Sequence, residues 1–171
     1  MSGGDTAGEE EIIATLRPFA SEDLGAILEL SIRAWEPVFH SIEQQLGSEL
    51  FRRMHPDWRA DQRRTVEEAC GSPDVTVWVA ESGHAPVGFV GIKTDHPEHL
   101  GEVYIIAVDP AHQRSGVGVA LMQLALDELA DAGMIVAMVE TGGDPGHAAA
   151  RGLYQHIGFT LLPIARYFKA L

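Results

Sequence analysis

One cysteine, few aromatic residues and a shortage of basic residues are the first constraints on this chain. Cys70 is the single cysteine in 171 residues. No internal disulfide is available, which excludes a disulfide-built secreted scaffold. Cys70 has no basic cluster beside it in sequence, and it reads as a packing residue, not a nucleophile. Aromatic residues make up 7% of the chain, and Lys and Arg number 12 against 25 Asp and Glu, a net charge of −13. Such a surface repels phosphate backbones and argues against nucleic acid as a non-specific partner. It draws cations through long-range steering, and it aids solubility whatever the partner. No apolar run approaches the roughly 20 residues of a membrane span, and no membrane partner is expected. Met1 to Glu11 lacks the basic start and apolar centre of a secretory signal. It reads as a disordered acidic tail, and the cytoplasm is the expected compartment. Two phosphate motifs are also missing, G-x-x-x-x-G-K-[ST] and G-x-G-x-x-G, so neither a P-loop nor a dinucleotide fingerprint is present.

What remains is a chain with 46% hydrophobic residues, enough for one globular domain over residues 12–171. Ile12 to Phe19 reads as a strand. Ser21-Glu22-Asp23 opens a helix, with Ser21 as cap and Leu24, Ile27, Leu28 and Ile32 on one face, ending before Pro37. A second helix is expected over Ile42–Met54 and a charged third over Trp58–Ala69. Val75–Ala80 and Val87–Lys93 alternate as strands around a hairpin loop, and Gly88 and Gly91 mark a bulge or a close neighbour. Residues 102–108 form the next strand, and Val117 to Leu129 a helix with a wide apolar face, stopped by Gly133. Met134–Val139 is a buried strand. Asp144 caps and Pro145 opens a helix over His147–His156, stopped by Gly158. Residues 159–162 and 165–169 are expected as terminal strands split by Pro163. The order β-α-α-α-β-β-β-α-β-α-β-β gives an α/β fold: a mixed sheet flanked by helices, with residues 103–108 and 134–139 as a parallel pair around one crossover helix.

The most informative stretch is Val108-Asp109-Pro110-Ala111-His112-Gln113-Arg114-Ser115-Gly116-Val117-Gly118-Val119-Ala120. It carries the chain from strand through turn into helix. A helix start holds unpaired N–H groups and partial positive charge. Glycine at 116 and 118 lets a phosphate come close to them, and Gln113 and Arg114 add donors at the rim. The turn is built like a pyrophosphate site.

Gln113-x-x-Gly116-x-Gly118 resembles the [RQ]-x-x-G-x-[GA] acyl-coenzyme A loop of the GNAT superfamily of N-acetyltransferases. Downstream, His147-Ala148-Ala149-Ala150-Arg151-Gly152-Leu153-Tyr154-Gln155-His156-Ile157-Gly158-Phe159 resembles that family's N-x-x-A-x-x-x-Y-x-x-x-G-F signature. Ala150, Tyr154, Gly158 and Phe159 match, and His147 stands in place of Asn. The resemblance implies a mostly antiparallel mixed sheet with a central splayed parallel pair, and acetyl-CoA as co-substrate wedged between the pair. Pantetheine would lie along Ile106, Ala107 and Val108. The pyrophosphate would sit on the amides of Arg114, Ser115, Gly116, Val117, Gly118 and Val119, with Gln113 and His147 helping to hold the cofactor. Acetyl would pass directly to an amine in a ternary complex.

That chemistry needs a proton acceptor for the ammonium and a donor for the departing thiolate. Tyr154 fits the donor. Glu102 stands eleven residues ahead of Gln113, the offset at which histone-type members of the family carry a glutamate. The resemblance implies it as the base, directly or through water, and a solvated strand-end carboxylate is the other reading. Tyr104 could do the base's work through water or line the acceptor pocket. Trp35 and Phe39, at the break between the first helices, either wall that pocket or pack in the core. The acceptor is a primary amine on a small molecule, a peptide N-terminus or a lysine. A second reading, suggested by His147, is an acyl-CoA-binding regulatory module without turnover. His96, Glu98 and His99 read as a polar loop, not a metal site. A homodimer through the terminal strands is consistent with the pattern.

Overall fold

The computed structural model describes residues 14–171. The acidic tail expected over residues 1–11, and the start of the first expected strand, lie outside them. Five strands form one sheet in the order β1 (Thr15–Pro18), β2 (Thr76–Ser82), β3 (Ala85–Asp95), β4 (Leu100–Val108) and β5 (Val136–Val139). The first three pairings are antiparallel, and β4 and β5 run parallel. Helices α1 (Leu24–Leu46) and α3 (Trp58–Gly71) cover one face; α4 (Val117–Asp131) and α5 (Ala148–Ile157) cover the other, and the short α2 (Ser48–Met54) joins the first two. Ile27, Leu30, Val66, Val79 and Phe89 pack on the α1 side, and Val90, Leu121, Met122 and Leu129 on the α4 side. Among the described residues, no helix is long and apolar enough to cross a membrane.

Three expectations are corrected. α1 does not stop before Pro37 but runs through it to Leu46, where Gly47 ends it at φ 77°. Pro37 removes one helical N–H, yet beyond it buried Ser41 accepts from the Gly146 N–H and Phe39 stacks on Trp58, and these contacts hold the far half of the helix. Ser21 is not a cap: residues 21–23 form a single 3₁₀ turn, and the Asp23 carboxylate accepts from the Ala20 N–H and from Arg17. The expected terminal strands are absent. Residues 159–171 hold no helix or strand, and β5, like β1 at the other side, is an edge strand of the described sheet.

The bulge signalled by glycine is found on the partner strand. Gly91 pairs with Ile105 while Ile92 pairs with Val103, so Tyr104 is the extra residue. Its insertion reverses the alternation: Val103 faces the α4 side, and Ile105, two residues on, faces the α1 side. A bulge bends its strand, and the bend falls where β5 leaves. The parallel pairing runs from Leu100↔Val136 to Val103↔Val139 and stops. Beyond Tyr104 the two strands part.

Candidate active site

The gap between the parted strands opens into a cavity of about 450 Å³. One wall is β4 from Val103 to Val108, including Ile106 and Ala107. Opposite stand Val139, Glu140 and Thr141 at the end of β5. The start of α4 contributes Gly116, Gly118 and Val119, with Gln113 and Arg114 from the loop before it. α5 contributes Ala150, Leu153 and Tyr154, and α1 contributes Ala34, Trp35 and Val38.

The loop before α4 is rigidly built. Asp109 accepts from the Ala111 N–H at 2.9 Å and from the Arg33 guanidinium on α1. Burial pushes the Asp109 carboxyl up, but Arg33 and the amide outweigh it and hold the acid below its ordinary range. Gln113 donates to the Val108 carbonyl at 3.2 Å, and the Ser115 hydroxyl donates to the His112 carbonyl at 2.6 Å. Arg114 and Gly116 take positive φ, 63° and 85°. This conformation aims the chain so that α4 begins at the cavity. The first helical bond comes from Ala120, to Gly116 O. No side chain caps the start, so the amides of Val117, Gly118 and Val119 lack intrahelical partners. A Cβ on Gly116 would meet nothing within 4 Å, and one on Gly118 would sit 3.5 Å from Leu153 and 3.8 Å from Val108. The cradle is open where a diphosphate would lie, and these residues suit such a group.

Tyr154 is 9% exposed, and burial pushes its phenol up to about 12. At neutral pH its hydroxyl therefore stays protonated. Among the described residues, no protein group is hydrogen-bonded to its hydroxyl. Its ring packs edge-on to Phe159 at 6.1 Å. His147 also lines the cavity, and its Nδ1 lies 2.5 Å from Asp144 Oδ1. Asp144 accepts the Gly146 N–H at 3.0 Å, and Ser41 Oγ on α1 accepts the same N–H at 2.9 Å. Arg151 donates to the carbonyls of Gly142 and Asp144, at 2.6 and 2.8 Å. Burial raises the Asp144 carboxyl, but Ser41 and His147 bring it below its ordinary range.

The remaining expected residues separate. Trp35 and Tyr104 line the cavity; Phe39 does not. Phe39 stacks on Trp58 at 4.5 Å, with Phe51 and His55 against its edge, and so ties α1 to α2 and α3. Glu102 stands at the foot of the split, in register with Lys93 and Met138, and is not part of the cavity wall. Lys93 Nζ lies 3.2 Å from the centroid of the Tyr104 ring. Ser115 and Val117 do not line the cavity, and Val117 buries its side chain in the core. His99 turns back to the Gly133 carbonyl, 3.3 Å from Nδ1. Burial pushes the Cys70 thiol up to about 11, as suits a packing residue. Sequence reasoning missed Glu140, Arg33 and Ser41. Glu140 directly follows a readable strand, but the other two reach the site across 76 and 105 residues and carry no local signal.

Residues 35–159 match the acetyltransferase (GNAT) family. The chain belongs to that family. Among its relatives is a mycothiol acetyltransferase of Amycolatopsis mediterranei, 32% identical over 154 residues that cover 85% of this chain and 46% of that protein. A mycothiol acetyltransferase of Corynebacterium glutamicum is 27% identical over 186 residues, 92% of this chain and 61% of that protein. The chain thus spans about half the length of the curated relatives it matches. In solved structures the GNAT fold recurs at low identity. An aminoglycoside 6'-N-acetyltransferase from Acinetobacter haemolyticus superposes with a TM-score of 0.65 at 17% identity, covering 92% of this chain and 98% of that one. An acetyltransferase from Thermoplasma acidophilum in complex with coenzyme A gives 0.67 at 15%, covering 89% and 92%.

Proposed function

We propose that this GNAT chain, acting as one domain, moves an acetyl group from acetyl-CoA to a primary amine by direct attack in a ternary complex. One observation carries the reading: unpaired amides at the start of α4 adjoin the split between β4 and β5, and Tyr154 stands on the wall of the same cavity. Acetyl-CoA supplies a thioester carbonyl with a stable thiolate as leaving group. The amides of residues 114–119, with Gln113 and Arg114, hold the diphosphate. The free edge of Ile106, Ala107 and Val108 receives the pantetheine arm. His147, fixed by Asp144, faces the same arm. The Tyr154 hydroxyl donates a proton to sulfur as the C–S bond breaks. The ammonium loses one proton before attack, and Glu102, through a water or through Tyr104, takes it and passes it to solvent. Once the C–N bond has formed, the nitrogen loses a second proton, which replaces the one given up by Tyr154.

Trp35, Tyr104 and Glu140 mark the acceptor end. A carboxylate there and the chain's negative charge suit a small cationic amine. The relatives' names, mycothiol and aminoglycoside acetyltransferases, point the same way. The test is acetyl-CoA mixed with aminoglycosides, amino sugars, diamines, and peptides with free N-termini or lysines, with CoA thiol release followed by a thiol reagent. Release with at least one amine class is expected. Binding of acetyl-CoA without release from any amine would overturn the enzyme reading in favour of a regulatory module.

A further inference from the structure

Lys93 and Lys169 are the only lysines in this chain. Lys169 is exposed in the segment beyond α5, whereas Lys93 is half-buried on β3. Lys93 pairs with Glu102 across the antiparallel β3–β4 ladder. Residues directly opposite each other in such a ladder put their side chains on the same face. Ile92 and Val103, one step along, pair with each other and pack on the α4 side. Lys93 and Glu102 therefore face the α1 side. There the Lys93 Nζ lies 3.2 Å from the centroid of the Tyr104 ring. Tyr104 is the bulged residue, and it lines the acetyl-transfer cavity with Trp35 and Val38 of α1. A primary amine of the chain itself thus rests on a ring of the cavity wall, at the end marked for the acceptor.

Three features suit this amine to receive an acetyl group. A cation–π contact at a partly exposed site is weak, and the lysine stem is flexible, so the ammonium can leave the ring and swing toward the cavity. Glu102, the carboxylate assigned as base, stands opposite Lys93 on the same face. It is placed to take the ammonium proton, which must go before the nitrogen can attack. Finally, the amine is tethered beside the site. Its effective concentration there is on the order of millimolar, without any encounter in solution.

We propose that Lys93 is a self-acetylation site: with no external amine present, the acetyl group of bound acetyl-CoA passes to the Lys93 nitrogen of the same chain. The inference rests on the acetyl-transfer reading of the cavity. The Lys93 ammonium gives one proton to Glu102, directly or through a water, and on to solvent. The freed Nζ attacks the thioester carbon; the N–C bond forms and the C–S bond breaks. The departing sulfur takes the Tyr154 proton, and the second proton of the nitrogen restores it. The products are CoA thiol and an amide at Lys93. The amide carries no charge, so the ring of Tyr104 and the Glu102 carboxylate lose their cation. The acceptor end of the cavity becomes one charge more negative, and the ring face is left to the cation of an external amine.

The test is the full chain incubated with acetyl-CoA and no amine, with both lysines followed by peptide mass spectrometry beside CoA thiol release. Exposed Lys169 measures uncatalysed acetylation in the same sample. Lys93 is expected to gain its acetyl group at least about tenfold faster than Lys169, at a fractional rate independent of protein concentration, with one thiol released per chain. Excess CoA, competing for the cavity, should slow Lys93 and leave Lys169 unchanged. Lys93→Arg keeps a cation for the ring and should abolish the release. Acetylation of Lys93 that is no faster than that of Lys169, is insensitive to CoA, or speeds up in proportion to protein concentration would overturn the proposal. So would thiol release that persists in Lys93→Arg. Release with an amine of the panel while Lys93 stays unmodified would overturn this proposal alone. Release from no amine, together with unmodified Lys93, would overturn the acetyl-transfer reading with it.

Discussion

Two glycines at the start of α4 do different work, and alanine at each separates stability from binding. Gly116 sits at φ 85° with nothing within 4 Å of a built Cβ. Alanine there meets no clash, only the left-handed backbone, at a cost of about 1–2 kcal/mol. For a chain of this size each kcal/mol moves the thermal midpoint by about 2–4 °C, so Gly116→Ala should melt roughly 2–8 °C lower. Gly118 lies in the first turn of α4 with ordinary φ, and its built Cβ makes normal contacts with Leu153 and Val108. Alanine there gains helix propensity, up to about 1 kcal/mol, and the apo protein should melt at or slightly above the parent temperature. The same methyl group projects between Val108 and Leu153, two residues of the cavity wall. It occupies the space by which a diphosphate reaches the free amides. Acetyl-CoA affinity should therefore fall at least about tenfold, or 1.4 kcal/mol, in a protein that is no less stable. Differential scanning fluorimetry with and without acetyl-CoA reads both effects in one plate. Gly118→Ala binding acetyl-CoA as tightly as the parent would refute the amide cradle as the phosphate site.

Tyr154→Phe should lower kcat about 10²- to 10⁴-fold with acetyl-CoA affinity nearly unchanged; equal turnover would remove the phenol from the mechanism. Glu102→Gln should flatten the acidic limb of the pH–rate profile, and an unaltered limb would eliminate it as base. Gly101→Ala should destabilise by about 1–3 kcal/mol, because its Cβ would lie 2.6 to 3.0 Å from three side-chain atoms of buried Leu129; Leu129→Val in the same chain should recover part of the lost melting temperature. Asp23 and Asp109 have folded-state pKa values below the ordinary 3.8, the first through Arg17 and the second through Arg33 despite burial. Their stabilisation is complete above that value and is lost as pH falls through it toward the folded-state pKa. Melting temperature should therefore drop below about pH 4, and Arg33→Met should make that drop shallower; identical slopes would dismiss the Arg33–Asp109 pair as a stabilising contact.

The parts that could be read from sequence are those whose cause is local. Gly116 and Gly118 open a helix, Gly133 and Gly158 end the two helices that precede them, and Asp144 with Pro145 leads into a helix, though through a 3₁₀ turn over Pro145–His147 that was not expected, all by backbone rules that act within a few residues. The parallel pair followed from one apolar strand on either side of a crossover helix. Where tertiary contacts decide, local rules failed. Pro37 looked like a helix end, but buried Ser41, one turn beyond it, is tied to Gly146 and keeps α1 going to Leu46. Phe39, only four residues from Trp35, turns to Trp58 and not to the cavity. The segment around Pro163 has strand composition, yet it finds no edge within its own described chain. The bulge at Tyr104 was half legible: Gly91 signalled it, but the extra residue belongs to the facing strand.

Calorimetric titration of acetyl-CoA against acetyl-pantetheine, which keeps the thioester and lacks the diphosphate, bears most directly on the amide cradle. Saturable binding of acetyl-CoA, at least about 100-fold tighter than the truncated thioester, is the expected result. Equal affinity for the two, or no heat with acetyl-CoA, would contradict the assignment of the α4 start as the grip that aims the acetyl group.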